Sequence, residues 1–153
     1  MMTIDTFNKL TGQVTLHPLV SIADLTDDRL DADVDKPCDF FALLCNDEQL
    51  RLVIPGETIR IPSARHRDDQ GYTGVLFHPD LLFDTPLEHD IMNYKCRCDC
   101  HKQLCENDRA TIDSCIEQIA HELEYSIDRY SSTIIVSQIR LLLNYCTRIC
   151  CQD

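Results

Sequence analysis

Cys96, Cys98, Cys100, His101 and Cys105 place four thiols and one imidazole within ten residues. Thiolate sulfur and imidazole nitrogen are the donors of tetrahedral zinc sites, which need four ligands. The run reads C-x-C-x-C-H-x3-C and lacks the usual C-x2-C pairs. On an extended strand Cys96, Cys98 and Cys100 share one face. There they can gather a metal or be buried as small hydrophobes, and cysteine is often buried without any ligand role. The expectation is reduced, metal-free thiols. A zinc-stabilised interaction protein built on Cys96–Cys105 is the alternative. Cys146, Cys150 and Cys151 form a second cluster. Cys146 and Cys150 lie one helical turn apart, where core packing is the ordinary reading.

Other chemistry is sparse. His66, His78 and His101 are dispersed, with no H-x-H pair to start a metal site. His17 and His78 each precede a proline and read as turn or capping residues. Glycine-rich phosphate loops, nucleophile elbows and paired-carboxylate signatures are missing. Asp68 and Asp69 read as solvated charge in a loop. The residues therefore predict a non-enzymatic protein without a cofactor.

Charge and hydropathy narrow the partners. The formal net charge is −12 over 153 residues. A phosphate backbone needs a basic footprint, so this chain alone is not expected to bind DNA. Met1–Leu10 has no apolar signal-peptide core, and Leu141-Leu142-Leu143 typifies apolar runs far below membrane-spanning length. A soluble, cytoplasmic protein without membrane contact is expected. In a reducing compartment the ten cysteines are expected to be buried thiols or metal ligands rather than disulfides.

The elements divide at Gly71–Asp90. Before it the chain reads as strands and turns. Thr15–Ile22 is a strand carrying a proline, hence near an edge. Thr26–Pro37 is a charged surface loop. Asp39–Cys45 is a buried strand and Gln49–Ile54 a weakly alternating one. Pro55-Gly56 makes a turn, and Glu57–Ile61 alternates cleanly. Pro62–Gln70 is a polar loop. Thr73–Phe77 is a buried strand halted by His78-Pro79-Asp80, which opens a helical turn. Two helices follow. The first spans Asn107 to Arg129, with Asn107 or Asp108 as cap and one stripe of Ile112, Cys115, Ile116, Ile119, Leu123 and Ile127. The second spans Thr133 to Cys151, capped by Ser131-Ser132. It is apolar on several sides: Ile135, Ile139, Leu142, Cys146 and Ile149 make one stripe, Ile134, Leu141 and Tyr145 a second, Val136, Leu143 and Cys150 a third. The fold class is α+β in one domain, residues 1–153. About 90 residues of mainly β structure precede a two-helix part over roughly 106–151.

Leu16–Leu25 (LHPLVSIADL), Leu76–Leu87 (LFHPDLLFDTPL) and Ser132–Arg148 (STIIVSQIRLLLNYCTR) resemble the amino-terminal sensing domain of bacterial AraC-family transcription regulators. The turn at Pro55-Gly56 also fits, and the segments span most of the chain. The resemblance implies a cupin-like β barrel or sandwich followed by a helical hairpin, which binds an effector or mediates dimerisation. In that family a separate carboxy-terminal domain with two helix-turn-helix units binds DNA, and the 153 residues hold no counterpart of it. Two further departures are a short region between Phe41 and Gly71 and the cysteine-rich Tyr94–Cys105. The ligands of a metal-dependent cupin enzyme are missing too.

If a small effector binds, the barrel interior is its default place. The inward candidates are Phe41, Leu43, Leu52, Ile54, Ile59, Ile61, Val75 and Phe77, which are equally ordinary core positions. Arg60 and Arg65 could reach an anion at the rim. The second helix has more apolar surface than its own domain needs, so a homodimer through it is expected. The candidate contacts are Ile135, Ile139, Leu142 and Cys146, although the sequence leaves open which stripe faces inward.

Overall fold

The computed structural model describes residues 1–25, 33–46, 49–63, 71–94 and 104–150. It is an α+β fold of antiparallel sheets and carboxy-terminal helices. The chain opens with helix α1, Ile4–Thr11, set by local chemistry that a hydropathy reading misses. Thr3 caps it by accepting from the Thr6 N–H at 3.1 Å, Asp5 lies in the first turn, and Gly12 ends it at φ 76°. Such a cap contributes about 1 kcal/mol. Ile4, Phe7, Asn8 and Thr11 form its buried face, at i, i+3, i+4 and i+7.

Six strands follow among the described residues: β1 Val20–Asp24, β2 Val34–Pro37, β3 Phe41–Cys45, β4 Leu50–Val53, β5 Thr58–Ile61 and β6 Thr73–Phe77. Four form one sheet in the order β1-β6-β3-β4, and β2 pairs with β5. The four pairings between these strands are antiparallel, and an isolated parallel bridge joins Met2 to Cys38. Two sequence expectations are corrected here. The first strand begins at Val20, not Thr15, because His17-Pro18-Leu19 bends and the His17 ring accepts the Leu19 N–H at 3.0 Å. The end of the presumed charged loop is strand β2. Val34 is its one buried residue, and the pairing with β5 carries the rest outward.

β3 explains the layering. All five of its residues are buried. Phe41, Leu43 and Cys45 face a core shared with the helices; Ala42 and Leu44 face a second core shared with α1, β2 and β5. β6 alternates likewise, with Val75 and Phe77 on the helix side and Leu76 on the other. The larger sheet is thus covered on both faces, which is why DFFALLC reads as a continuous apolar run.

His78 ends β6 as the sequence predicts. Its Nδ1 accepts the Asp80 N–H at 3.1 Å and caps the 3-10 turn Pro79–Leu82. Helix α2, Pro86–Asp90, and a second 3-10 turn, Ile91–Asn93, complete the connection. Helix α3 runs from Glu106 to Leu123 and α4 from Ser131 to Cys150. The α3 cap is Cys105, whose sulfur accepts the Asp108 N–H at 3.4 Å, rather than Asn107 or Asp108. α3 ends before Ile127, which stands 59% exposed and leaves the predicted stripe. Asp128 accepts the Tyr130 and Ser131 N–H groups, while the Ser131 hydroxyl accepts the Asp128 N–H. That reciprocal pair starts α4. Among the described residues no helix is long and apolar enough to cross a membrane.

Candidate functional site

The two cores divide the residues proposed for an effector. Phe41, Leu43, Leu52, Val75 and Phe77 lie in the helix-facing core, with Ile54 packed against it. Ile59 and Ile61 lie in the core on the opposite side of the sheet. The eight therefore do not converge on one interior. Phe41 and Phe77 pair across the strands, rings stacked at 5.1 Å, and fill the space between them.

The four residues proposed for the dimer are also corrected. Ile135, Ile139, Leu142 and Cys146 are at most 1% exposed and belong to the helix-facing core of their own domain. They are the inward stripe of α4, packed on α3. Of the second stripe, Ile134 and Leu141 face out, 41% and 44% exposed, while Tyr145 is half-buried and packs against the helix-facing core. Gln138 interleaves with these three, giving the 4-3-4 spacing of a helical seam. A groove of about 560 Å³ runs between Gln138, Leu141 and Tyr145 of α4 and the facing side of α3. Its α3 wall consists of Asn107, Ala110, Thr111, Ser114, Gln118 and the buried Cys115. A surface with apolar knobs on one helix and short side chains on the next is shaped to receive another helix.

Most of the described thiols are buried. Cys38, Cys45, Cys115 and Cys146 are buried and Cys150 is half-buried. Burial pushes the Cys38 and Cys115 thiols above their ordinary value, so neither is an activated nucleophile. Cys105 is the exposed thiol among those described. Cys96, Cys98, Cys100, His101 and Cys151 lie outside the described residues, as do Arg65, His66, Asp68 and Asp69. Among the described residues no group of three or more His, Cys, Asp or Glu is placed to hold a metal ion. His17 is 5% exposed, and burial lowers its pKa. Arg60 is paired with Asp35 at 3.4 Å on the β2–β5 ladder.

Arg109 was not singled out by the sequence, yet it joins three elements. From α3 its guanidinium donates to the Thr73 hydroxyl of β6 at 3.0 Å and to the Cys45 sulfur of β3 at 3.3 Å. Its Nε holds Asp113 at 3.3 Å. The side chain is 19% exposed, so the attachment is largely withdrawn from water. Its sequence signal is only the Arg-x3-Asp spacing, common on solvated helix faces.

No family model matches the chain. No curated protein matches it either.

Proposed function

We propose that this chain is the effector-sensing and dimerisation domain of an AraC-like transcription regulator, non-enzymatic and without DNA affinity of its own. The observation that carries the reading is the division of α4 into two stripes. One is consumed by the domain's own core; of the other, Ile134 and Leu141 are left on the surface, with Leu141 and the half-buried Tyr145 lining a groove against α3. A second copy related by a two-fold axis would bury that stripe against its equivalent. The resemblance of Leu76–Leu87 and Ser132–Arg148 to the family supports the same assignment. The facing of β2–β5 toward the larger sheet across one apolar core supports a cupin-like barrel or sandwich.

The mechanism is a population shift. A small effector held more tightly by one arrangement of sheet and helices raises the population of that arrangement. Because α3 and α4 share a core with β3 and β6, a change in strand packing reaches the hairpin directly. Sedimentation of the isolated chain tests the reading. A dimer is expected for the wild type and a folded monomer for Leu141→Asp. A wild type that remains monomeric at high concentration removes the dimerisation role.

A further inference from the structure

β1 is an edge of the four-stranded sheet of described residues. Two hollows of about 380 and 410 Å³ lie end to end between it and α3, sharing Ile22 and Ala120 as common walls. Residues from both faces of β1 line them: Ile22 packs toward the helices, while Ser21 and Ala23 point to the other side. The trough therefore runs along the strand's edge. Backbone parity agrees. Leu19 accepts from the His78 N–H at 2.8 Å and Leu25 donates to the Tyr72 carbonyl at 2.7 Å. Alternation then turns the backbone groups of Ser21 and Ala23 toward β6 and the N–H and C=O of Ile22 away from it, where the carbonyl accepts one long bond from the Ser21 hydroxyl at 3.4 Å.

The floor is apolar (Ile22, Ala120) and the rim acidic. Asp24, Asp113 and Glu117 line one hollow and Glu124 the other. Arg109, the base in the trough, is already engaged by Asp113, Thr73 and Cys45. At the open end Val14 and Leu16 stand 76% and 57% exposed. We propose that the trough takes an extended, lysine- or arginine-bearing segment of a partner protein, added to β1 as a further strand. Its alternate apolar side chains rest on Ile22 and Ala120, and its basic side chains meet Glu117 and Glu124. The small side chain of Ala120 leaves room for a backbone to approach. Phosphate backbones and anionic bilayers are repelled by the same carboxylates, so the partner is a basic polypeptide. This surface is distinct from the outward stripe of α4 and does not depend on dimerisation.

The test is fluorescence anisotropy with a labelled peptide of alternating lysine and valine, against its glutamate–valine counterpart. The basic peptide is expected to bind in a salt-sensitive manner and the acidic one not at all. Glu117→Lys should weaken binding by about tenfold. Ala120→Trp, which fills the trough without changing charge, should abolish it. Asp35→Lys, placed on β2 outside the trough, should leave it unchanged, with circular dichroism confirming the fold of each variant. Failure of the wild type to bind overturns the proposal. So does equal weakening by Asp35→Lys, which would mark attraction to net charge alone, or undiminished binding by folded Ala120→Trp. If Ala120→Trp does not fold, the contrast between Glu117→Lys and Asp35→Lys decides alone.

Discussion

Gly74 on β6 lies directly against the backbone of Leu43 on β3. A methyl group built on Gly74 would overlap the Leu43 carbonyl oxygen and stand 2.9 Å from its carbonyl carbon and 3.1 Å from the Leu44 Cα. The obstacle is backbone at the centre of the sheet, not a flexible side chain that can move aside. Gly74→Ala should therefore destabilise the domain by about 3 kcal/mol, read as a lowered urea midpoint with an unchanged slope.

Adjacent residues on α4 should respond oppositely to the same change. Leu142 is wholly buried and Leu141 is 44% exposed. Leu142→Asp places an unpaired charge in the helix-facing core and should cost about 3 kcal/mol or more, enough to unfold the domain. Leu141→Asp should keep the native circular dichroism and change only the association state. Measuring both by light scattering with circular dichroism separates core from surface. Equal damage from the two would show that the outward stripe is misassigned.

Stability should fall on mild acidification through His17. Burial lowers its pKa below the ordinary 6.5, and its Nδ1 is occupied by the Leu19 N–H. A protonated ring cannot accept that bond. The folded state thus binds fewer protons than the unfolded one, and this contribution is complete above pH 6.5. It is lost progressively as pH drops from there toward the depressed folded value. His17→Asn keeps an acceptor for the Leu19 N–H but does not titrate. Its urea midpoint should change less than that of the wild type between neutral pH and about pH 5.5. Parallel loss in both proteins would put the acid sensitivity elsewhere.

Thiol labelling should sort the described cysteines by position. Cys105 is exposed at the start of α3, whereas Cys38, Cys45, Cys115 and Cys146 are buried. Site-resolved mass spectrometry after brief iodoacetamide treatment should find Cys105 modified in the native protein. The buried four should react only after denaturation. Rapid native labelling of Cys146 would contradict the inward placement of its stripe.

Much of the sheet was legible from its residues. Asp39–Cys45 and Thr73–Phe77 announce strands covered on both faces, and Thr58–Ile61 alternates because Ile59 and Ile61 face in while Arg60 faces out. Helix α1 was illegible to apolar periodicity because its buried face includes Asn8 and Thr11. The Asn8 side chain is satisfied by Thr15 and Ser21, partners only the fold supplies. β2 was hidden because one buried valine in an acidic run gives no period. The inward stripe of α4 could not be chosen, since Ile135–Ile139–Leu142 and Ile134–Leu141–Tyr145 are both apolar at helical spacing. Packing against α3 makes the choice, and sequence spacing does not encode which neighbour arrives. The proposed effector contacts failed to converge for a related reason. Alternation says that Ile59 and Leu43 face inward, but not that they face different cores.

The strand order has a consequence for synthesis on the ribosome. β6 is the last strand among the described residues, yet it lies between β1 and β3 in the finished sheet. Until it emerges, the nascent chain can close the β3–β4 hairpin, but β1 has no neighbour and β3 lacks one of its two. Both carry apolar residues destined for the same core. The growing polypeptide therefore passes through an interval with two sticky, incompletely bonded strands, the condition under which chains pair with one another instead of with themselves. That interval ends only when Thr73–Phe77 leaves the exit tunnel and closes the gap.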